Sequence, residues 1–383
     1  MGDQRRILHV ISTMNRGGAE TWIMHVYRHI DRSHIAFDFA VQTDQLCHYD
    51  GEIRALGGRI FPHPSPKAAG LRSYSQKLAS TLREHGPFAG VHSTKHEFSG
   101  LVLRVAEKAG VPLRIAHSQT TQDGRPNSWL INVYRWSMRK LIRRHATHLF
   151  GCSRAACEAL FGPDCWSDPR VRVVRNAIDL VPYAALPTDR RALREQCALP
   201  MAAPLIGHVG RFAEPKNHRF LIEIFAAVLQ KLPTAHLLLV GDGPLRPAIE
   251  ALVRKKSLQG NVHFLGIHPD VPLFMGALDL FLFPSLYEGV PLVVIEAQAA
   301  GVPCVVADTV PIEADLGIGL VRFVGLQADV GTWEQHLEKS LSSQRPHWSS
   351  LQQALQAAGY DIRDVATQME RIYVNGGFTK RSP

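Results

Sequence analysis

Residues 205–241 read LIGHVGRFAEPKNHRFLIEIFAAVLQKLPTAHLLLVG and contain the signals that decide the fold. An apolar run at 205–209 is typical of a buried strand, and an apolar pattern with helical spacing follows over 219–231. A second apolar run occupies 236–241. A strand, a helix and another strand in this order predict a pair of parallel strands joined by a crossover helix.

The same alternation extends through the whole chain of 383 residues, which is longer than a single domain usually is. Further strand-like runs, each followed by a segment of helical length, lie at 7–12, 37–42, 90–93, 113–117, 148–152, 262–265, 278–283 and 303–307. We therefore predict an α/β fold with two doubly wound, Rossmann-like domains. An irregular stretch with Pro182 and Pro187 places the hinge near 180–195 and the domains at 1–185 and 186–361.

The net charge of +9 is distributed unevenly along the chain. Residues 1–190 contain 26 Lys and Arg against 16 Asp and Glu, whereas residues 191–383 contain 17 against 18. The excess positive charge of the first half suits an anionic bilayer, a polyanion or a pyrophosphate-bearing acceptor, and a merely solvated basic face explains it equally well. We predict no nucleic-acid partner.

The sequence predicts a cytoplasmic protein. The apolar run at 7–11 is too short for a signal peptide, and no stretch approaches the roughly 20 apolar residues that span a bilayer. The six cysteines form no CxxC pair and no regular framework, which favours a reducing compartment. Contact with the inner face of the cell membrane would have to be peripheral.

Two cationic side chains, Arg211 and Lys216, lie on the turn between the first strand and the helix of the opening stretch. The carboxyl ends of parallel strands are where α/β folds bind ligands. A planar guanidinium and a mobile ammonium at such an end suit a pyrophosphate. The alternative is an ordinary solvated turn.

A second constellation occupies residues 283–291, FPSLYEGVP, and leads into an apolar helix over 292–300 that carries Glu296. Pro291 favours the first helical position, so the backbone N–H groups of Gly289, Val290 and Leu292 would be free to bind an anion. Glu296 lies about 8 Å along this helix, which is similar to the gap between two sugars bridged by diphosphate. A carboxylate on an apolar helix needs a polar ligand or a salt bridge.

These motifs, in this order and spacing, resemble the family 4 retaining glycosyltransferases. The matching residues of the second half are Gly210-Arg211-Phe212, Lys216-Asn217-His218, Gly241-Asp242-Gly243-Pro244-Leu245, Glu288 and Glu296-Ala297. Those of the first half are Gly17-Gly18-Ala19-Glu20, His117-Ser118-Gln119, Cys152-Ser153 and Asn176-Ala177-Ile178-Asp179. The resemblance covers nearly the whole chain.

The resemblance implies the GT-B architecture, in which two facing Rossmann-like domains bind a nucleotide-sugar mainly through the second domain. It also implies a last helix, here at about 362–383, that crosses back to the first domain. It implies no required metal. It also implies no cofactor, because the nucleotide-sugar is a co-substrate. The Asp-x-Asp metal motif of the other major glycosyltransferase fold does not occur in the sequence.

The resemblance also implies roles for individual residues. Arg211 and Lys216 would neutralise the diphosphate, Glu288 would contact the transferred sugar, and Glu296 would hold the ribose. Gly17 and Gly18 would let the first loop approach the diphosphate, although a bare glycine turn is the alternative. His117 would face the donor sugar near the reacting carbon. The remaining donor-binding candidates are Gly243, Gly289, Val290, Pro291 and Leu292.

The sequence departs from the family pattern in three places. Pro215 precedes Lys216 where Gln is frequent, and Ala177 replaces the glycine of the usual Asn-Gly-Ile-Asp. Gln119 stands where a second histidine is common, which puts acceptor-side histidine chemistry in doubt.

Residues 129–144 contain five basic residues, three aromatic residues and no acidic residue. This content resembles interfacial helices that bind membranes peripherally. The alternative is a helix that packs on the sheet through its aromatic residues and keeps a solvated basic face.

The function predicted from these observations is retaining transfer of a sugar from an NDP-sugar, with UDP favoured, to a lipid pyrophosphate-linked glycan. Capsule, exopolysaccharide or O-antigen synthesis is the expected setting. The alternatives are a UDP-sugar 2-epimerase of the same architecture and a non-catalytic glycan-assembly partner. A nicotinamide dehydrogenase is disfavoured, because neither glycine motif has the GxGxxG spacing.

Overall fold

The computed structural model describes residues 4–121, 128–187, 190–196, 199–268 and 270–376. These residues form two compact units. Unit 1 consists of the described residues of Met1–Ala177 and Asp361–Pro383, and unit 2 consists of those of Ile178–Tyr360.

The strands are β1 Arg5–Val10, β2 Ile35–Val41, β3 Ile60–Pro62, β4 Gly90–Ser93, β5 Leu113–Ser118, β6 His148–Gly151, β7 Val171–Val173, β8 Leu205–Val209, β9 His236–Val240, β10 Val262–Gly266, β11 Leu280–Phe283, β12 Cys304–Ala307 and β13 Val321–Val324. The helices are α1 Gly18–His29, α2 Asp50–Ala55, α3 Pro66–Glu84, α4 Ser99–Lys108, α5 Trp129–His145, α6 Arg154–Phe161, α7 Val181–Ala184, α8 Arg190–Gln196, α9 His218–Lys231, α10 Arg246–Lys255, α11 Val271–Ala277, α12 Leu292–Ala299, α13 Val330–Leu341, α14 Trp348–Ala357 and α15 Ile362–Asn375.

Unit 1 is built on a parallel sheet with the strand order β3-β2-β1-β4-β5-β6-β7. The β1 strand lies in the interior of the sheet, with Ile7 paired to Phe37 on one side and to Gly90 on the other. Helices cover both faces, because the strands are apolar on both sides. The order reverses between β1 and β4, which makes the carboxyl ends of these two strands the switch point of unit 1.

Unit 2 repeats this design with the parallel order β10-β9-β8-β11-β12-β13. Its switch point lies between β8 and β11, which pair through Ile206 and Leu280. Apolar clusters fill both faces of the sheet. Two doubly wound parallel sheets confirm the predicted α/β fold class.

The chain enters and leaves unit 2 at neighbouring points, because the backbone N–H of Ile178 donates to the carbonyl oxygen of Tyr360 at 3.0 Å. The sequence placed the domain boundary at 185/186, whereas the contacts divide the chain at 177/178. The difference arises because Ile178, Leu180 and Tyr183 of the connector are buried in the core of unit 2.

The α15 helix belongs to unit 1, where Ile362, Met369 and Tyr373 are buried in the same core cluster as residues of β1 and α1. Asp361 caps its N-terminus by accepting a hydrogen bond from the backbone N–H of Arg363. Residues 377–383 of the predicted last helix lie outside the described residues.

A buried carboxylate lies in the middle of β2. Asp38 has no exposed side-chain area and accepts hydrogen bonds from the guanidinium groups of Arg6 and Arg59 at 2.6 to 3.1 Å. Burial raises the pKa of Asp38, but the hydrogen bonds from Arg6 and Arg59 outweigh that effect and the net shift is downward. This ionised network joins β1, β2 and the residue before β3.

Candidate active site

The switch point of unit 2 is formed by the loops that follow β8 and β11. The two loops are fastened together, since the backbone N–H of Leu286 donates to the carbonyl of Pro215 at 2.8 Å. The side-chain amide of Asn217 also donates to the carbonyl of Pro284 at 3.1 Å. Asn217 has left-handed backbone angles, which asparagine tolerates better than most residues, and it occupies the N-cap position of α9 without a side-chain capping bond. These bonds fix the relative positions of the residues on both loops.

Glycines allow a third loop, after β9, to lie against the first. A Cβ atom at Gly241, whose φ is +137°, would lie 2.1 Å from the carbonyl oxygen of Gly210. A Cβ atom at Gly243 would lie 2.5 Å from the carbonyl oxygen of Phe212. The need for glycine at 243 is therefore explained by packing against the backbone of Phe212, and its donor-binding role stays a prediction.

Lys216 and Glu288, which follow different strands, meet at the switch point. The Nζ atom of Lys216 lies 2.6 Å from Oε1 of Glu288 and 4.7 Å from the ring centroid of Phe283. An ammonium has three N–H donors and a carboxylate has two oxygens, so the pair leaves two donors and one oxygen unused. The two residues can therefore contact a ligand without separating.

Arg211 adds a second cation to the same loop. Its side chain is exposed, and within the described residues its guanidinium forms no hydrogen bond or ion pair. The loop after β8 therefore offers two cationic donor groups to a ligand and also carries one exposed carboxylate of its own, Glu214. Such a site favours a polyanion such as a diphosphate.

Two buried histidines, His208 and His218, lie beneath this loop, and their ring centroids are 4.8 Å apart. Burial lowers the pKa of His218 to about 4, and the positive charge of Lys216 contributes to this shift. Burial likewise lowers the pKa of His208. Both rings are therefore neutral at pH 7, and the cationic character of the site comes from Arg211 and Lys216.

The α12 helix begins at Leu292, and Pro291 is the N-cap rather than the first helical residue that the sequence suggested. Within the described residues, the backbone N–H groups of Gly289, Val290 and Leu292 donate no hydrogen bond. A Cβ atom at Gly289 would meet no protein atom within 4 Å. Open space therefore lies over unpaired donors, as an anion or sugar site requires.

Glu296 lies one turn into α12 among apolar side chains. Burial raises the pKa of Glu296 to about 7. No salt bridge or hydrogen bond to its carboxylate is found among the described residues, which removes the salt-bridge alternative for that part of the chain. Burial raises the pKa of the Tyr183 phenol, and the negative charge of Glu296 raises it further. A carboxylate that is partly exposed, has apolar neighbours along its helix and has no partner among the described residues is a group that a ligand with hydroxyl donors would satisfy.

In unit 1, Gly17 and Gly18 follow β1 at the switch point. Gly17 is the N-cap of α1 and Gly18 is its first residue, and both are exposed. A Cβ atom at Gly18 would meet no protein atom within 4 Å. The N-terminus of α1 is thus accessible from solvent at Gly18, whereas the carboxylate of Glu20 lies beside Gly17, where a Cβ atom would be 2.5 Å from its Oε2 atom.

His117 lies near the end of β5, and its ring is fully enclosed. Burial lowers the pKa of His117 to about 3, and a backbone hydrogen bond to Val174 opposes the shift. Its Nδ1 atom lies 3.0 Å from Nε2 of His92, and its Nε2 atom lies 3.1 Å from the side-chain nitrogen of Gln119. Both ring nitrogens therefore have protein partners, which the sequence did not indicate.

His92 and Tyr373 are further members of this network that the sequence did not reveal. His92 is buried in β4, and its Nδ1 atom lies 2.8 Å from the hydroxyl oxygen of Tyr373 in α15. The only available signal was a histidine within the apolar run of β4. The chain gives no hint of the contact, since the two residues are 281 positions apart.

The basic segment 129–144 lies on α5, which contradicts the aromatic-packing alternative for its tryptophans. Trp129 and Trp136 are 73% and 65% exposed, and Leu130 and Val133 beside them are more than half exposed. The buried side of the helix is formed instead by Met138, Ile142 and His145.

Membrane spans and metal clusters are both missing from the described part of the chain. No helix in the ranges given above has the length and apolar character needed to cross a bilayer. No group of three or more His, Cys, Asp or Glu side chains in those ranges could hold a metal ion.

Comparisons with known proteins agree on the family. Residues 17–177 match the family described as "Glycosyl transferase 4-like domain", and residues 203–323 match "Glycosyl transferases group 1". EpsF of Bacillus subtilis (strain 168), which carries a glycosyltransferase name, is 37% identical over 372 residues that cover 97% of this chain and 96% of EpsF.

Two further similarities are more distant. The Escherichia coli UDP-Gal:alpha-D-GlcNAc-diphosphoundecaprenol alpha-1,3-galactosyltransferase is 27% identical over 225 residues, 57% of this chain and 56% of that enzyme. The crystal structure of Anabaena HepE in complex with UDP-glucose has a TM-score of 0.76 at 20% identity, covering 97% of this chain and 99% of HepE. The identity to EpsF over nearly the full length of both chains, together with the two family matches, shows that this chain belongs to the family 4 glycosyltransferases of the GT-B fold.

Proposed function

We propose that this glycosyltransferase transfers a sugar from a UDP-sugar to a glycan carried on a lipid pyrophosphate, with retention of the anomeric configuration. Capsule, exopolysaccharide or O-antigen synthesis is its setting. The observation that carries the proposal is the Lys216–Glu288 pair, whose loops also present the unpaired Arg211 and the free N–H groups before α12.

The diphosphate of the donor is assigned to the cationic part of this site. Two N–H groups of Lys216, the Arg211 guanidinium and the N-terminus of α12 can all donate to phosphate oxygens. They stabilise the negative charge that develops on the leaving phosphate. A leaving phosphate oxygen that takes the acceptor's proton allows front-face attack, so the proposal needs no protein nucleophile, no metal and no cofactor.

The two sugars of the donor are assigned to the two glutamates. The free oxygen of Glu288 accepts hydrogen bonds from hydroxyl groups of the transferred sugar, and Glu296 accepts those of the ribose. The names of HepE bound to UDP-glucose and of the Escherichia coli galactosyltransferase, which uses UDP-Gal, support uridine as the base.

Two observations support a lipid-linked acceptor: the acceptor named for one relative and the positive charge of the first half of this chain. The Escherichia coli relative's name specifies an acceptor on diphosphoundecaprenol. Residues 1–190 of this chain, which include most of unit 1, carry the whole excess of positive charge. Such a field attracts both a pyrophosphate and the anionic inner face of the cell membrane, where we place the protein.

Helix α5 is proposed as the membrane contact. Its exposed face presents two tryptophans and two aliphatic side chains, and no acidic residue lies among its basic residues. Tryptophan and arginine on one surface helix suit the headgroup region of a bilayer. The ammonium of Lys140 lies 5.2 Å from the ring centroid of Trp136, which keeps a cation beside the apolar face.

The test is a hydrolysis and transfer screen with UDP-Glc, UDP-Gal, UDP-GlcNAc, UDP-GalNAc, GDP-Man and GDP-Fuc, with and without membranes that contain lipid-linked glycans. We expect release of UDP from one UDP-sugar, faster with acceptor, and unchanged activity after treatment with EDTA. Epimerised UDP-sugar formed without acceptor would instead identify an epimerase. Binding of UDP-sugars without any turnover would identify a non-catalytic partner.

A further inference from the structure

A chain of hydrogen bonds crosses the core of unit 1 from α15 to the segment after β7. It runs from the Tyr373 hydroxyl to Nδ1 of His92 at 2.8 Å, from Nε2 of His92 to Nδ1 of His117 at 3.0 Å, and from Nε2 of His117 to Gln119 at 3.1 Å. The Gln119 amide then bonds that of Asn176 at 2.8 Å. Tyr373, His92 and His117 are all buried.

Tyr373, at one end of this chain of hydrogen bonds, determines which atom donates in each bond. A tyrosine hydroxyl in the core must donate its proton, because an unsatisfied buried donor is strongly unfavourable. Among the described residues, the Tyr373 hydroxyl has one hydrogen-bond partner, His92 Nδ1. Tyr373 therefore donates, and His92 Nδ1 accepts.

The remaining protons follow from this step. A neutral imidazole has one N–H, so His92 carries its proton on Nε2 and donates it to Nδ1 of His117. His117 then carries its own proton on Nε2.

The amides of Gln119 and Asn176 can accommodate this direction. The oxygen and nitrogen of an amide have the same shape, so their positions are assigned from the network of bonds around them. With the Gln119 oxygen toward His117, the Gln119 nitrogen donates to the oxygen of Asn176. Either orientation leaves the outer atom of the Asn176 amide buried without a partner among the described residues, so the bond between His117 and Gln119 decides the orientation of both amides.

We propose that His92, oriented by Tyr373, is a positioning residue that fixes His117 as the tautomer with its proton on Nε2. This nitrogen faces Gln119, which is partly exposed at the carboxyl end of β5. His117 is thereby a hydrogen-bond donor and not a general base. The inference rests on the proposed function in one respect, namely that a hydroxyl oxygen of the sugar donor replaces the Gln119 oxygen as the acceptor of this N–H.

The tautomer is tested on the unliganded full-length protein by two-bond ¹H–¹⁵N correlation spectra with ¹⁵N-labelled histidine. The signals of His92 and His117 are assigned by their loss in His92→Asn and His117→Asn. We expect both rings to be neutral at pH 7 with the proton on Nε2. A proton on Nδ1 of His117 would overturn the proposal.

The positioning role is tested with Tyr373→Phe, which removes only the hydroxyl. The matched control is Tyr27→Phe, because Tyr27 is buried in the same core cluster but donates to the carbonyl of Leu56. In Tyr373→Phe, the His117 ring signals should shift toward a mixture of tautomers, and kcat/KM for the donor should fall about threefold to tenfold, the value of one hydrogen bond. Tyr27→Phe should leave the His117 ring signals and kcat/KM unchanged, and the two variants should unfold at similar temperatures.

Unchanged His117 signals in Tyr373→Phe, or altered signals with unchanged transfer, would contradict the positioning role. The spectra require no substrate, so they separate this inference from the proposed function. If the wild-type protein transfers and hydrolyses no sugar nucleotide, the proposed function fails while the tautomer remains measurable.

Discussion

The Nζ atom of Lys216 and the Oε1 atom of Glu288 lie 2.6 Å apart, so residues that follow β8 and β11 share one hydrogen bond at the switch point of unit 2. Replacing either residue removes a ligand group and leaves the other charge partly buried without its partner. We expect Lys216→Ala and Glu288→Ala each to lower kcat/KM for transfer by at least about 100-fold, because each group acts on the transition state.

The control for this pair is Lys231→Ala, which breaks an ion pair with Glu334 elsewhere on unit 2. It should retain wild-type turnover. All three variants should unfold cooperatively. Lys231→Ala should lose about 1 kcal/mol or less in the free energy of unfolding, since exposed pairs contribute little. Lys216→Ala and Glu288→Ala should lose about 1–3 kcal/mol, because a partly buried charge loses its partner. Wild-type turnover in Lys216→Ala or Glu288→Ala would disprove the assigned site.

Gly289 tests whether the open space before α12 is ligand space. A Cβ atom added at Gly289 or at Gly260 would meet no protein atom within 4 Å, and neither glycine has a positive φ. We expect Gly289→Val to raise the donor KM at least about tenfold because its side chain would take the place of phosphate or sugar, a loss of about 1.4 kcal/mol in binding. Gly260→Val should bind UDP like the wild type in isothermal calorimetry. Equal affinities in the two variants would place the donor elsewhere.

Glu296 predicts a pH dependence of stability. Burial raises its pKa to about 7 in the folded protein against 4.5 in the unfolded chain. The folded state therefore holds this proton more tightly, so its stabilising contribution is complete below pH 4.5 and is lost as pH rises through 7. The buried histidines stabilise the fold as pH rises, so the Glu296 effect is measured as a difference: between pH 4.5 and 8 in urea unfolding, the unliganded wild type should lose about 3 kcal/mol relative to Glu296→Gln.

The same carboxyl group predicts how donor affinity changes with pH. Ribose hydroxyls that donate to Glu296 favour its ionised form. The donor KM of the wild type should therefore fall as pH rises from 6 to 8, whereas Glu296→Gln should show a flat profile. Glu296→Ala should mainly weaken donor binding. A flat wild-type profile would argue against contact between Glu296 and the donor.

Asp38 predicts the stability of unit 1. In Asp38→Ala, two guanidinium groups lose the buried carboxylate that binds them, and the free energy of unfolding should fall by about 3–5 kcal/mol. The exposed Glu84→Ala is the control and should stay within about 0.5 kcal/mol of the wild type. Because the pKa of Asp38 is lowered in the fold, its contribution is present above pH 3.8 and is lost as pH falls through the folded value. Equal denaturation midpoints for the two variants would contradict this network's role.

The exposed tryptophans of α5 predict vesicle binding. We expect the double variant Trp129→Ala and Trp136→Ala to bind vesicles of phosphatidylglycerol and phosphatidylcholine at least about tenfold more weakly than the wild type. Raising the salt from about 0.1 to about 0.5 M should weaken the wild type as well, since the arginines act by charge. Leu46→Ala, which removes a side chain of unit 1 that is 81% exposed, is the control. Sedimentation with vesicles would show no difference between variants if α5 does not contact lipid.

The sequence predicts the central strands better than the edge strands. The runs at 90–93 and 205–209 coincide with β4 and β8, because strands buried on both faces are continuously apolar. The strands β3, β7 and β13 were not predicted, and each of them lies at a sheet edge and has three or four residues. Edge strands are short and partly exposed, so Arg172 and Arg322 interrupt the apolar pattern.

Some features of the candidate site are also predictable from the sequence, and others are not. Arg211, Lys216 and Glu288 are recognisable from local motifs, because each lies in a loop that follows a strand. The contact of Lys216 with Glu288 and that of His92 with Tyr373 join residues 72 and 281 positions apart, and no local pattern contains such information. The burial that raises the pKa of Glu296 likewise depends on the packing of the whole unit.

The bond between Ile178 and Tyr360 has a consequence for biosynthesis. A ribosome completes every strand of unit 2 before it reaches α15, so unit 2 can reach its native state while unit 1 still lacks one helix. Until α15 emerges, the apolar surface of β1 and α1 that it covers is bare, and His92 has no tyrosine beside it. Nascent chains arrested after residue 360 should therefore recruit chaperones to the half that was made first.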